Sequence, residues 1–115
     1  MNDKEVLMRM YHVATQRHVS RKFVDIARHL YLKYSANNHI TSVDKLLYGY
    51  AAIVVVSKFW EDEKYVIEND YCYAMGISTK EGCEQIYRCF WDVEMKLLES
   101  IGFKLMELSE EVLKK

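Results

Sequence analysis

The longest apolar run of the chain reads Leu46-Leu-Tyr-Gly-Tyr-Ala-Ala-Ile-Val-Val-Val56, and it decides the fold. Its β-branched end, residues 53–56, favours a strand on local propensity alone. The run is nevertheless too long for an average strand, and the sequence offers no second strand to pair with it. Because a helix that is apolar on every side belongs at the centre of a helical domain, we predict a buried central helix from Thr41 to about Trp60.

Capping residues and apolar spacing place further helices on both sides of this run. With no proline and only four glycines in 115 residues, the sequence favours helices joined by short turns. Capping boxes at Thr41 with Asp44 and at Ser78 with Glu81 each open a helix. Acidic residues 61–63 mark a turn. We therefore predict one all-α domain over residues 1–115, with helices over about 3–16, from after Ser20 to Asn37, over 41–60, 64–75 and 78–101, and in a short tail over about 104–115.

Charge and cysteine content narrow the possible partners. The 16 basic and 17 acidic residues give a net charge of −1, which provides no general attraction to nucleic acid or to an acidic membrane. The longest apolar run is about half of the ~20 residues that a membrane span needs.

Three cysteines cannot all pair and the chain shows no leader pattern, so we expect an intracellular protein of the nucleus or cytoplasm. No metal-ligand spacing or nucleotide loop occurs, and we expect no cofactor.

Two charged residues interrupt the apolar stripes of the predicted helices. Lys58 ends the stripe of the central helix, and Glu94 lies inside the stripe of the long fifth helix, which comprises Cys83, Ile86, Tyr87, Phe90, Leu97, Leu98 and Ile101. We expect both side chains to be half-buried, and an unpaired buried charge costs several kcal/mol. Each therefore needs a partner, which is either the other residue, in a structural ion pair, or a backbone group of another protein.

Two segments of the chain resemble the cyclin box. Residues 34–61 are similar to its second and third helices, including a Ser-Lys-aromatic-acid signature at Ser57-Lys58-Phe59-Trp60-Glu61 in which Trp60 replaces the first acid. Residues 94–105 resemble its fifth helix, with a glutamate, spaced leucines and a closing Gly-Phe-x-Leu. The resemblance implies a cyclin-box-like five-helix bundle around the apolar third helix.

The resemblance also implies a function for the two unexpected charges. In cyclins the matching lysine and glutamate contact main-chain groups beside the C-helix of a cyclin-dependent protein kinase, which implies that Lys58 and Glu94 form a polar clamp. The apolar contacts implied on the same kinase helix are Phe59, Leu98, Phe103 and Leu105. A protein of this kind performs no chemistry itself. It shifts the kinase population toward the conformer whose C-helix completes the ion pair that orients ATP.

Two other classes of protein remain open from the sequence. One is a cyclin-fold adaptor, similar to general transcription factors of the TFIIB type, that binds protein or nucleic acid without activating a kinase. Its sequence feature is a basic patch, also explained by the solvated faces of two helices, that comprises Arg17-His18, Arg21-Lys22 and Arg28-His29. The other is a helical enzyme with a cysteine and His29 as a nucleophilic pair, although no oxyanion motif accompanies them.

Overall fold

The computed structural model describes residues 1–60 and 67–114, and over those residues it contains helices and no strands. The helices are α1 (Asp3–Gln16), α2 (Arg21–Asn37), α3 (Lys45–Trp60), α4 (Ile67–Ala74), α5 (Lys80–Ser100) and α6 (Leu105–Leu113). The all-α prediction is confirmed, and the strand preference of residues 53–56 yields to burial inside a helical core. The predicted acidic turn at residues 61–63 and the predicted helix start at Lys64 lie outside the described residues.

Helix α3 lies at the centre of the molecule, as its apolar sequence predicts. It packs against α1, α2, α4 and α5, and eleven of its residues are buried. Side chains converge on it from every neighbouring helix, including Met10, Leu30, Tyr71, Phe90 and Leu97. The tail helix α6 covers α2 and buries Leu105, Leu108 and Val112. Each peripheral helix therefore has one buried face and one solvent face, whereas α3 is covered on nearly all sides.

Neither predicted capping box has the hydrogen bonds that the sequence predicts. The hydroxyl of Thr41 donates to the carboxylate of Asp44 at 3.0 Å instead of accepting from a backbone N–H, and α3 begins only at Lys45, after a turn. At the start of α5 the capping residue is Thr79, whose Oγ1 accepts from the N–H of Gly82 at 3.1 Å, and not Ser78. Ser20 does occupy the cap position of α2, although its side chain makes no capping hydrogen bond.

Helices α1, α4 and α5 end in the same backbone motif, in which the chain turns through a left-handed residue, His18, Gly76 or Gly102 respectively. At the end of α5, Phe103 N donates to Leu98 O at 2.9 Å and Gly102 N donates to Glu99 O at 3.0 Å, which together form a Schellman motif. Gly76 has φ +71° after α4 and Gly102 has φ +61° after α5, a conformation that glycine adopts without steric cost. Phe103 also has a positive φ of 60°, which is strained for a bulky side chain.

Candidate protein-binding site

Lys58 and Glu94 form an ion pair where the last turn of α3 meets α5. Lys58 Nζ donates to Glu94 Oε1 at 3.0 Å, across 36 residues of sequence. The two side chains are unequally buried, because Lys58 is 64% exposed and Glu94 is only 13% exposed. The prediction of two half-buried charges is therefore wrong for Lys58, which is long enough to extend its ammonium group into solvent. Of the two predicted alternatives, the ion pair between Lys58 and Glu94 is therefore the one present in the structure.

The carboxyl of Glu94 has a raised pKa, and burial is the main cause. Burial raises the pKa of this carboxyl above its ordinary value, and Lys58 opposes the shift without cancelling it. The nearby carboxylate of Glu68 on α4 raises the pKa of Glu94 further. Glu94 is thus a desolvated carboxylate for which Lys58 is the one cationic partner among the described residues, and such a group gains from additional hydrogen-bond donors.

The predicted apolar contacts fall into two groups. Phe59 is 51% exposed and Phe103 is 58% exposed, so both present aromatic surface to solvent, and Leu98 is half-buried. Leu105 is only 1% exposed and belongs to the core beneath α6. The contact role implied for Leu105 is therefore wrong in this structure, because a side chain without accessible surface cannot touch a second protein.

Helix α5 carries exposed apolar residues that the sequence analysis did not assign to the site. Trp91 is 72% exposed, Met95 is 38% exposed and Tyr87, which we predicted in the buried stripe, is 42% exposed. Their spacing of four residues places them on one face of α5, and that face continues to Leu98. This second apolar stripe is visible in the sequence, but its spacing does not indicate which of the two stripes faces the core. We call Lys58, Phe59, Trp91, Glu94 and Met95 the α3–α5 face.

Phe59 and Trp60 anchor the end of α3 to the start of α2. The Trp60 ring stacks on Phe23 with 5.8 Å between centroids, and the Phe59 ring meets Trp60 edge to face at 4.5 Å. Phe59 is therefore supported on one side by a packed tryptophan while its other side remains exposed. An aromatic side chain held in this way loses little conformational freedom when it binds a partner.

Among the described residues no hydrogen bond joins His29 to a cysteine. Burial raises the pKa of Cys72 to about 11, so that its thiol stays protonated near neutral pH. His29 Nδ1 lies 3.2 Å from the carbonyl oxygen of Asp25 on its own helix. Within residues 1–60 and 67–114, no group of three or more His, Cys, Asp or Glu side chains could hold a metal ion.

The basic patch predicted on α1 and α2 is partly neutralised. Arg17 makes a bidentate pair with Asp70 of α4, at 2.8 and 2.5 Å, and this pairing raises the pKa of its guanidinium. Arg28 has a looser partner in Asp25, one turn earlier on α2, at 3.9 Å. Arg21 lies over the ring of Tyr11, 5.7 Å from its centroid, and thus connects the start of α2 to the outer face of α1.

No family model, curated protein or solved structure matches this chain. In the part of the chain that the structure describes, no helix has both the length and the apolar character needed to cross a membrane.

Proposed function

We propose that this protein is a cyclin-like regulatory subunit that binds a cyclin-dependent protein kinase through the α3–α5 face. The observation that carries the proposal is the Lys58–Glu94 pair at 3.0 Å, which is exposed on the lysine side and flanked by exposed aromatic residues. Protein interfaces are enriched in aromatic residues and methionine, and they commonly surround a small number of polar groups. The resemblance of residues 34–61 and 94–105 to the cyclin box supplies the identity of the partner.

The ion pair leaves hydrogen-bonding capacity for a partner's main chain. An ammonium group has three N–H donors, and among the described residues Lys58 Nζ uses one of them, on Glu94 Oε1. The remaining donors can reach carbonyl oxygens of a kinase segment, and the second oxygen of Glu94 can accept from a backbone N–H. The partly buried carboxylate would gain the additional donors that its desolvation favours.

The apolar part of the site packs on one face of the kinase C-helix. Phe59, Trp91 and Met95 supply large exposed surface, and Leu98 and Phe103 extend it toward the end of α5. Binding favours the kinase conformer whose C-helix is turned inward, because only that conformer presents its helix to this surface. Activation then follows from the difference in affinity for the two conformers, with no chemistry on this chain.

The test is a binding and activity series with purified monomeric cyclin-dependent kinases. We expect wild type to bind at least one of them and to raise its phosphorylation of a peptide substrate. Lys58→Ala, Glu94→Ala and Trp91→Ala should each weaken binding by about 2 kcal/mol or more, as truncation of charged or aromatic interface residues does. Lys80→Ala and Glu84→Ala, two exposed residues at the other end of α5, are the matched controls and should bind as wild type does.

Two outcomes would reject the proposal. If folded Lys58→Ala and Glu94→Ala variants bind and activate the kinase as wild type does, these residues are not the clamp. If none of the kinases binds wild type, the adaptor class is favoured in its place. Circular dichroism of each variant separates a loss of binding from a loss of fold.

A further inference from the structure

An elongated groove between α1 and α2 combines an apolar floor with a positively charged rim. Its volume is about 640 Å³, and it is lined by Lys4, Leu7, Met8, Tyr11, His12, Thr15, Arg21 and Arg28. The α1 residues among them recur at spacings of three and four, so that they form one stripe along the outer face of the helix. The stripe from Lys4 to Thr15 is about 16 Å long at the helical rise.

The floor of the groove exposes large apolar side chains. Met8 is 65% exposed and Tyr11 is 44% exposed, and half-buried Leu7 lies between them and the core. None of these residues takes part in the α3–α5 face. Methionine is a flexible apolar side chain, and tyrosine adds an aromatic ring with a polar hydroxyl. Surfaces of this kind are typical of sites that bind a partner's helix.

The rim of the groove is cationic. Lys4 lies on the α1 side and Arg21 and Arg28 on the α2 side, and among residues 1–60 and 67–114 no aspartate or glutamate lines the groove. The nearest described acidic partner of a rim residue is Asp25, which holds Arg28 at 3.9 Å on an exposed surface and so offsets little of its charge. Arg21 is kept at the edge of the groove by its position over the Tyr11 ring, 5.7 Å from the centroid.

We propose that this groove binds an acidic amphipathic helix of a partner protein. The apolar face of such a helix would cover Met8 and Tyr11, and its flanking carboxylates would reach Lys4, Arg21 and Arg28. A length of 16 Å accommodates about three helical turns. Duplex nucleic acid fits less well, because its bases are already stacked, its phosphate backbone gains nothing from an exposed methionine and tyrosine, and the whole chain carries a net charge of −1.

The experiment uses two synthetic helical peptides with the same leucine stripe. One carries glutamate at every polar position and the other carries lysine there, and both are titrated into the full chain while fluorescence anisotropy is recorded. We expect the acidic peptide to bind at least about tenfold more tightly than the basic one, and we expect added salt to reduce the difference. The methyl signal of Met8 in an NMR spectrum should shift only with the acidic peptide.

Two charge-reversed variants provide a matched comparison. Arg21→Glu combined with Arg28→Glu should abolish binding of the acidic peptide. Lys80→Glu combined with Arg88→Glu makes the same change in net charge on exposed positions of α5 and should leave binding unaltered. Met8→Ser, on an exposed position that leaves the core intact, should weaken binding while circular dichroism remains unchanged.

Several results would overturn the proposal. These are equal binding of the two peptides, equal losses in the two charge-reversed pairs, or full binding by the Arg21→Glu, Arg28→Glu variant. Duplex DNA that binds the groove more tightly than the acidic peptide does would identify a nucleic-acid surface. A dimer in sedimentation velocity that Met8→Ser dissociates would identify a second copy of this chain as the occupant.

Discussion

Gly49 allows α1 to lie close against the central helix. A Cβ atom added at this position would lie 2.6 Å from Val6 Cγ1 and 3.1 Å from Met10 Cγ, and both of these side chains are fully buried. Val6 is β-branched and short, so it cannot turn aside as the end of a long side chain can. The glycine is therefore explained by packing between two helices and not by a turn.

Gly49→Ala should destabilise the protein in spite of the higher helix propensity of alanine. Alanine gains about 1 kcal/mol in a helix interior, but overpacking of a tight core costs about 1–3 kcal/mol, and the clash with Val6 places this site at the upper end. We expect the free energy of unfolding in urea to fall by about 1–2 kcal/mol. The double variant Val6→Ala, Gly49→Ala should lose less than the sum of the two single changes, because Val6→Ala makes room for the new methyl group. A Gly49→Ala protein more stable than wild type would show that α1 can move away at little cost.

Helices that the sequence places by apolar period agree with the structure, and the disagreements lie at helix ends. The bounds predicted for the first two helices are those of α1 and α2, and α5 begins two residues later and ends one residue earlier than predicted, because each of these helices has one clear apolar face. Ser78 and Thr79 are both good capping residues, and local sequence does not choose between them. The choice depends on the preceding turn, where Ile77 N donates to Cys72 O at 2.9 Å and so fixes how the chain enters α5.

The α3–α5 face was also predictable where it depends on apolar spacing and not predictable where it depends on contacts between helices. The unusual positions of Lys58 and Glu94 within apolar stripes were visible, and the cost of leaving a buried charge alone made their pairing one of two predicted arrangements. The exposure of Tyr87 and Trp91 was not visible, because α5 has two apolar stripes and either could have faced α3. Contact of α5 with both α3 and α4 buries Phe90, Val93 and Leu97 and leaves the other stripe in solvent.

Thr79→Ala should measure the contribution of the α5 cap. Its Oγ1 accepts from Gly82 N at 3.1 Å, and removing such a cap costs about 1 kcal/mol, with a range of about 0.5–2 kcal/mol. Ser78→Ala is the matched control one residue earlier, and we expect its unfolding free energy to equal that of wild type within about 0.5 kcal/mol. Equal losses in the two variants, measured by urea denaturation, would mean that the cap is shared and that the assignment to Thr79 is wrong.

At the scale of the whole molecule, one carboxylate near the start of the chain connects three helices. Asp3 of α1 accepts a hydrogen bond from Tyr31 of α2 at 2.8 Å and pairs with Lys45 of α3 at 3.2 Å. Tyr31 is fully buried, and its burial together with Asp3 raises the pKa of its hydroxyl far above the ordinary value of 10.0. Asp3 thus satisfies a buried phenol and neutralises the first residue of the central helix at the same time.

Asp3→Asn should therefore destabilise the protein at neutral pH and have less effect in acid. The hydrogen bond from Tyr31, followed by the contacts with Lys45, lowers the pKa of Asp3 below its ordinary value of 3.8. A carboxyl with a lowered pKa contributes stability that is present above pH 3.8 and lost as the pH falls through its folded value. Because the side chain is 41% exposed, solvent screens the ion pair, and we expect a loss of about 1 kcal/mol in urea unfolding at neutral pH.

Glu5→Gln, a change at an exposed acid on the same turn, is the control and should change the unfolding free energy by less than about 0.5 kcal/mol. A difference between Asp3→Asn and wild type that grows on acidification would contradict this, since it would mean that burial of the carboxylate outweighs the effect of Tyr31 and Lys45 on its pKa.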